Sequence, residues 1–381
     1  MAIYLDHAAT SPLRPEVLDA MLPYLMEHHG NPSSIHASGR RARQGLDEAR
    51  EEIAQLIGAK PREIVFTSGG TEADNLALKG VAWATSAKGR HIITSSVEHK
   101  AVMNTCAVLE RQGFRITHLP VGRYGRVDPA ELAAAVTDHT TLVSIMAANN
   151  EVGTLQPVAE IGAICRERRV AFHTDAVQSA AFGPPTPDAW QATLISLSAH
   201  KLGGPKGIGA LYVRQGTAMM PQVHGGAQER QRRAGTENVA AAVGFATAMR
   251  LVYAGSPRVE PRDRLIAGLT ALPGVELTGH PIERLPNSVS VVIKGVEGGD
   301  LVAALDLDGV EVSTGSACTT GSVEPSHVLL AMGIDEQLAH GSLRLTLGTE
   351  TTTAAIDRTL EVVGSCLSRL RASAPSMVAS A

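Results

Sequence analysis

The sequence has 381 residues, of which 44% are hydrophobic and 19% charged, so it is long enough for two domains with cores of their own. A net charge of -4 argues against a dedicated nucleic-acid surface. The sequence shows neither a run near the roughly 18 apolar residues of a membrane span nor a basic-then-apolar leader, so export and membrane insertion are not expected. Four cysteines without zinc-type spacing indicate reduced thiols and a cytoplasmic location.

Strands and helices alternate through the first two thirds of the chain. Predicted strands span 1–5, 64–67, 91–95, 115–119, 141–147, 170–174, 193–197 and 210–213, and predicted helices span 15–28, 38–57, 100–112, 129–136 and 157–168. A further helix begins at the glycine turn 69–70. The helix at 38–57 has leucine and isoleucine at helical spacing and stops at Gly58. This alternation predicts the α/β class, with a mostly parallel sheet, helices on both faces and right-handed crossovers.

The composition changes to glycine, proline and charge at 255–261, which we interpret as a domain boundary. The remainder predicts a smaller α+β domain, with strands at 288–294, 310–314 and 342–347 and helices at 300–307, 326–332 and 352–372. The expected division is a large domain of residues 12–255 and a small domain of residues 1–11 and 256–381.

One lysine stands between a predicted strand and a loop rich in glycine. Lys201 follows the apolar run 193–197 and precedes glycines at 203, 204, 207 and 209, a stretch that cannot be regular structure. An amine desolvated in such a place has a lowered pKa and forms a Schiff base readily. The plainer interpretation is a solvated lysine in an ordinary glycine-rich turn.

A second glycine turn links a strand to a helix. Strand 64–67 is followed by Gly69, Gly70 and Thr71 and then by a helical segment, so free backbone N–H groups and the helix dipole make the turn fit for a phosphate. Neither the P-loop nor the three-glycine dinucleotide pattern is present. A plain capped helix is the alternative.

Polar residues follow the predicted strand ends, where ligands collect in open α/β sheets. Pyridoxal phosphate needs a lysine for its aldehyde and a carboxylate for its pyridine nitrogen. It also needs a flat side chain against its ring and a helix N-terminus for its phosphate. Lys201, Asp175, His99 and the turn at 70–71 supply one each. Taken singly, Asp175 fits a helix cap as well as it fits a cofactor ligand, and His99 fits a surface imidazole equally well.

Several motifs in a fixed order carry a family resemblance over nearly the whole chain. They span 5–10, 31–36, 70–72, 98–100, 149–153, 173–178, 198–201, 233–238, 313–318 and 343–348. Through them the sequence resembles the cysteine desulfurases, the NifS/IscS-like group of the class V aminotransferase family of fold-type I pyridoxal phosphate enzymes.

The resemblance implies a role for each site residue. Lys201 would hold the cofactor aldehyde, Asp175 would pair with the pyridinium nitrogen, and His99 would stack on the ring and assist proton transfer. The other implied contacts are Asn150 and Gln178 to the ring oxygen, Gly70, Thr71, Ser198 and His200 to the phosphate, and Arg344 with Asn150 to the substrate. Thr236 would reach the phosphate bound by a partner subunit, which implies a homodimer with shared active sites.

Cys318 separates this group from aminotransferases of the same fold. By the resemblance its thiolate would attack the sulfur of bound L-cysteine, keep it as a persulfide, release L-alanine and pass the sulfur to an acceptor protein such as an iron–sulfur scaffold or a sulfur carrier. No resident metal is predicted, and Cys318 is the one candidate for a transient iron–sulfur ligand. Cys106, Cys165 and Cys366 lie in predicted helices and read as structural.

Competing interpretations stay open at this point. A selenocysteine lyase or an aminotransferase would use the same fold, although the placement of Cys318 speaks against the aminotransferase. A catalytically silent sulfur-carrier partner would lack Lys201 or Cys318, and both are present. A nucleotide-binding sheet protein would leave Lys201 without a role.

Overall fold

The computed structural model describes residues 2–315 and 324–373. The strands are β1 (Ile3–Tyr4), β2 (Ile64–Thr67), β3 (His91–Ser95), β4 (Arg115–Leu119), β5 (Thr140–Ser144), β6 (Ala171–Asp175), β7 (Leu194–Ser198), β8 (Gly209–Val213), β9 (Val275–Leu277), β10 (Ser288–Ile293), β11 (Val310–Glu311) and β12 (Ser342–Thr346). The helices are α1 (Pro15–Met26), α2 (Ala37–Ile57), α3 (Gly70–Thr85), α4 (Lys100–Arg111), α5 (Pro129–Ala135), α6 (Val158–Glu167), α7 (Gln228–Gln231), α8 (Val239–Tyr253), α9 (Glu260–Thr270), α10 (Gly298–Leu307), α11 (His327–Ala331), α12 (Glu336–Ala339) and α13 (Thr353–Ser373).

The large sheet has the strand order β2-β8-β7-β6-β5-β3-β4. Pairing is parallel from β7 through β6, β5 and β3 to β4, and β8 is antiparallel to both of its neighbours. Helices follow β2, β3, β4 and β5 along the chain, as parallel pairing requires. The fold class predicted from the sequence, a mostly parallel sheet with helices, is confirmed.

Helices cover both faces of this sheet, which is why its strands are apolar at consecutive positions. In β3, Ile92 packs with residues of α3 and α4, whereas Ile93 packs on the opposite face among residues of α2, α6 and α8. Both side chains are fully buried. Burial on both faces fixes the strand register, so the ends of β6 and β7 are held at defined heights beside each other.

Two smaller sheets share a second core, which forms from the C-terminal third together with the first strand. β10 lies between β9 and β12 in antiparallel pairing, and β1 pairs in parallel with β11 through Ile3↔Val310 and Tyr4↔Glu311. Leu5 is fully buried in this core with residues of α9, α10 and α13. The N-terminal segment therefore leaves this second core before it reaches the edge of the large sheet.

Element boundaries agree with the predicted ones to within a few residues, with two larger differences. The strand expected at 141–147 ends at Ser144, although Ile145 and Ala147 still donate to carbonyls of β6 at 3.1 and 2.8 Å. The strand expected at 310–314 is reduced to β11, because Ser313 pairs with Arg344 instead. Among the helices of residues 2–315 and 324–373, none is long and apolar enough to cross a membrane.

Candidate active site

The predicted lysine lies directly beyond the end of β7, in a short 3-10 turn from Ala199 to Leu202. Its Nζ donates to the carbonyl oxygens of Ala8 and, at 2.6 Å, of Ala9. Gly203 ends the turn with φ 77° and would place a Cβ 2.8 Å from Arg14, so a side chain there would be strained and crowded. The segment that follows β1 thus holds the Lys201 amine at the edge of the large sheet.

Asp175 ends β6, the strand next to β7. One carboxylate oxygen accepts a hydrogen bond from the Val177 N–H at 2.9 Å, and the side chain is buried. Burial raises the pKa of Asp175, while the charges of His99 and Lys201 act in the opposite direction. A buried carboxylate in this position is suited to pair with a cationic ring nitrogen. The positive charge would offset the hydration energy that the carboxylate loses on burial.

His99 caps the N-terminus of α4, and its Nδ1 accepts from the Ala101 N–H at 3.1 Å. Because Nδ1 is an acceptor, the proton of the neutral ring is on Nε2. Side-chain atoms of His99, Asp175 and Asp74 lie within 4.8 Å of one another. The imidazole is therefore fixed beside the carboxylate that the sequence assigns to the ring nitrogen.

The glycine turn at the start of α3 forms a cradle for an anion. Gly69 precedes the helix and supplies no side-chain cap for its first N–H groups. A Cβ added to Gly70 would lie 2.7 Å from Val177 and 3.7 Å from Ser198 Cβ, so the backbone approaches β7 closely only without a side chain. Open N–H groups at a helix start favour a phosphate.

His200 completes this side of the site. Its Nδ1 lies 3.2 Å from Thr10 Oγ1, and burial, followed by the Lys201 charge, lowers the pKa of His200 to about 4. The imidazole is consequently neutral near pH 7 and can meet a phosphate only through a hydrogen bond.

Arg344 on β12 brings the small sheet to the site. It is 3% exposed, and its NH1 donates to the Asn150 carbonyl at 3.0 Å while NH2 donates to the Asp6 carboxylate at 2.8 Å. Its Nε has no hydrogen-bond partner within the described ranges. A buried guanidinium with an unused N–H is suited to a substrate carboxylate.

The structure brings most of the described site residues that the sequence predicted to one edge of the large sheet. Gln178 donates to the Ala8 carbonyl at 2.9 Å, one of the oxygens that also accepts from Lys201. Thr236 is exposed just before α8. Cys318 lies outside the described residues, so its assignment stays a prediction.

Sequence reasoning gave no role to several buried ionisable groups around the site. Glu98 accepts from Ser95 Oγ at 2.6 Å and from the Met146 N–H at 3.0 Å, and burial raises its pKa to about 8. Asp74 is 1% exposed on α3. One signal was available for Asp74: it falls among Ala73, Leu76 and Ala77 on the apolar stripe of that helix, where a charged residue is out of place.

Comparison with known proteins supports the same interpretation. Residues 3–359 match the family model "Aminotransferase class-V". The chain is 51% identical over 379 residues to a protein named cysteine desulfurase IscS from Methanosarcina thermophila, covering 98% of this chain and 94% of the relative. The chain belongs to the cysteine desulfurases of the class V aminotransferase family.

Other members of the family agree in sequence and in structure. A cysteine desulfurase IscS from Dictyoglomus turgidum is also 51% identical, over 98% of this chain and 96% of the relative. A solved "NifS-like protein" superposes with a TM-score of 0.91 at 38% identity, over 97% of this chain and all of that one. The family resemblance, the enzyme class and the fold predicted from the sequence are confirmed, and enzymes of this family depend on pyridoxal phosphate.

Proposed function

We propose that this protein is a pyridoxal-phosphate-dependent L-cysteine desulfurase that retains the sulfur of L-cysteine on Cys318 and releases L-alanine. The observation that carries the proposal is the convergence of Lys201, Asp175 and His99 at one sheet edge in a member of the cysteine desulfurase family. A cysteine-bound relative supports the substrate: the solved structure "SspA in complex with cysteine" is 35% identical and has a TM-score of 0.82.

The donor set fits the proposed cofactor. The buried Asp175 carboxylate would hold the ring nitrogen, the Lys201 amine would bind the aldehyde carbon, and the N-terminus of α3 with Ser198 and His200 would hold the phosphate. The cradle at Gly70, which a single Cβ would fill, is the local observation that favours a bound group over a plain turn. When bound, pyridoxal phosphate supplies an electron sink that acidifies the Cα–H of its amino acid.

Each side chain would then perform one task on the substrate. Arg344 would orient the L-cysteine carboxylate, and the Lys201 amine would take the proton from Cα. The Cys318 thiolate would attack the substrate sulfur, so that an S–S bond forms and the C–S bond breaks. The electron pair of the C–S bond stays on Cβ, which takes one proton, and the protonated Lys201 returns a proton to Cα. The products are L-alanine and a persulfide on Cys318 for transfer to an acceptor.

We also propose a homodimer. Exposed apolar side chains recur along one face of α1 at Leu18, Leu22 and Leu25, which are 42%, 44% and 52% exposed. A row of leucines at helical spacing that solvent reaches is typical of a face covered by a partner. Thr236, exposed on this chain, would serve the phosphate site of the second subunit.

The remaining assignments follow from this function. The acceptor would be a protein that receives sulfane sulfur, such as an iron–sulfur scaffold or a sulfur carrier. Residues 12–255 would form the cofactor-binding domain, and residues 1–11 with 256–381 the small domain. We place the enzyme in the cytoplasm, because Cys106, Cys165 and Cys366 are free thiols.

The proposal is tested by release of sulfide and alanine from L-cysteine with a thiol reductant, recorded beside the visible spectrum. Wild type should be yellow and active, and Cys318→Ala should stay yellow and form no sulfide. Lys201→Ala should lose the covalent chromophore and fall in rate by about 10³ or more, as for removal of a covalent catalyst. Full activity in Cys318→Ala contradicts the persulfide route, and a wild type that does not bind pyridoxal phosphate contradicts the cofactor.

A further inference from the structure

A line of buried polar side chains lies beneath Asp175, between the large sheet and α3. Ser144, His173 and Ser196 are on β5, β6 and β7, all 0% exposed, and Asp74 on α3 is 1% exposed. His173 and Asp175 are two residues apart on β6, so their side chains lie on the same face of the sheet. The catalytic edge thus rests on polar groups that solvent does not reach, at a depth where apolar residues are the norm.

The hydrogen bonds in this line run in one direction. His173 Nδ1 lies 2.8 Å from Ser144 Oγ, and His173 Nε2 lies 2.9 Å from Ser196 Oγ. The Ser196 hydroxyl is also the neighbour that lowers the pKa of Asp74, against the effect of burial. If Ser196 donates to the Asp74 carboxyl group, its oxygen accepts from the Nε2–H of His173, and Ser144 donates to Nδ1. Both ring nitrogens of His173 are then satisfied with the imidazole neutral.

Asp74 has too few donors for an ionised carboxylate. Its Oδ1 has no hydrogen-bond partner within the described ranges and lies 3.6 Å from His173 Nε2. Glu98 nearby, in contrast, receives a hydroxyl and a backbone N–H. A fully buried charge with a bare oxygen is costly, and a second carboxylate, Asp175, lies within 4.8 Å. Two such carboxylates cannot both ionise cheaply.

The charges facing the pair agree with this distribution. Burial, and next the charge of Asp175, raise the pKa of Asp74 well above its usual range. Burial lowers the pKa of His173 to about 3, so it offers Asp74 no positive charge. Glu98 also raises the pKa of Asp74, whereas the groups that lower the pKa of Asp175 include His99 and Lys201.

We propose that Asp74 is a positioning residue, a neutral buried acid that backs Asp175 so that the single negative charge of the pair stays on Asp175, beside the cofactor ring nitrogen. This inference rests on the proposed function. In this role Asp74 would act through Asp175 and would touch neither substrate nor cofactor. Asp74 would exclude water from the side of Asp175 next to it. Being neutral, it would add no second negative charge to compete for the proton of the ring nitrogen.

Three variants test the inference, each compared with wild type. Asp74→Asn keeps a neutral hydrogen-bonding group, and Asp74→Ala removes it. Thr174→Val is the matched control, because Thr174 lies between His173 and Asp175 but its side chain is on the opposite face of the sheet. Thr174 is 0% exposed, and its Oγ1 has no hydrogen-bond partner within the described ranges. The readouts are the dissociation constant of pyridoxal phosphate from apo-protein, the midpoint of the pH titration of the bound chromophore, and the thermal midpoint.

The expected pattern separates charge from structure. Asp74→Asn and Thr174→Val should keep the titration midpoint of wild type and its cofactor affinity within about twofold. Asp74→Ala should weaken cofactor binding by about tenfold, which corresponds to loss of one buried polar contact. A fall of about one unit in the midpoint for Asp74→Asn would show that Asp74 is ionised, and would overturn the inference.

Two further outcomes keep the test decisive. Wild-type affinity and titration in Asp74→Ala would also overturn the inference, since no backing role would remain. If Asp74→Ala does not fold, Ser196→Ala takes its place, with weaker cofactor binding expected and unchanged binding as the contrary result. Failure of wild type to bind pyridoxal phosphate would instead refute the proposed function, so the two failures are distinguishable.

Discussion

Asp6 and Arg344, 338 residues apart in sequence, form an ion pair 2.8 Å long at the edge of the active site. Arg344 is 3% exposed on β12, and Asp6 follows β1. The pair joins the predicted substrate-binding arginine to the segment whose carbonyl groups accept from Lys201. The same segment therefore holds both Arg344, which we propose binds the substrate, and the Lys201 amine.

Arg344→Lys should raise KM for L-cysteine by about tenfold or more, because an ammonium cannot contact Asp6, the Asn150 carbonyl and a substrate carboxylate in one plane. Cofactor affinity should change little. The control is Arg264→Lys, since Arg264 forms a comparable 2.7 Å pair with Asp357 on the surface. Steady-state kinetics with L-cysteine measure the effect, and an unchanged KM would remove Arg344 from the substrate site.

Arg50 and Glu229 form a buried two-point pair, with distances of 2.7 and 2.6 Å. Glu229 also accepts from the Phe66 N–H at 2.9 Å, so it ties α2 and β2 to α7. Glu229→Gln should lower the free energy of unfolding by about 3–5 kcal/mol, because it leaves the Arg50 charge buried without a negatively charged partner. Urea unfolding measures this loss.

The exposed pair of Glu52 and Arg250 supplies the contrast, since its side chains are 33% and 55% exposed. Glu52→Gln should cost less than about 1 kcal/mol. Equal losses for the two variants would mean that burial of the Arg50–Glu229 pair is not what makes it matter.

Glu151 should make stability decrease with rising pH. Burial raises its pKa from 4.5 to about 7, against a hydrogen bond from Ser326 and the charge of Arg344. The native state therefore holds a proton that the unfolded chain has released between those values, so its contribution is full below pH 4.5 and is lost as the pH rises through about 7.

Glu151→Gln removes this titration, so its thermal midpoint relative to wild type should rise between pH 5 and pH 8, by the equivalent of about 1–3 kcal/mol. Glu51→Gln, an exposed change on α2, should run parallel to wild type. A constant offset between Glu151→Gln and wild type would show that Glu151 is ionised throughout.

Leu22→Asp should separate the proposed homodimer into monomers, because it places a charge at the centre of the apolar face of α1. Leu307→Asp is the control, since Leu307 is 87% exposed on α10 in the small domain. Sedimentation equilibrium should show the mass of two chains for wild type and control, and of one chain for Leu22→Asp. If Leu22→Asp remains dimeric, the dimer interface does not depend on this face of α1.

Local patterns in the sequence predicted the elements and the residues that follow them. Lys201 and Asp175 could be predicted from the sequence, because each follows an apolar strand and the carboxyl ends of parallel strands lie at one edge of the sheet. Glu229 could not be predicted, and Asp74 was marked only by its place among the apolar residues of α3. Asp74 matters only because α3 packs over β6, and Glu229 because it meets Arg50 179 positions earlier. Such pairings depend on tertiary packing, which no period or motif in a single sequence encodes.

The pairing of β1 with β11 sets an order for synthesis. Ile3 leaves the ribosome among the first residues, yet its partner Val310 is among the last quarter to be made. The Lys201 turn can form with the large sheet, but the segment that carries its carbonyl acceptors at Ala8 and Ala9 gains its contacts with β11 and β12 only when those strands exist. A nascent chain therefore carries its reactive amine in an unfinished pocket, and the catalytic site is completed only near the end of translation.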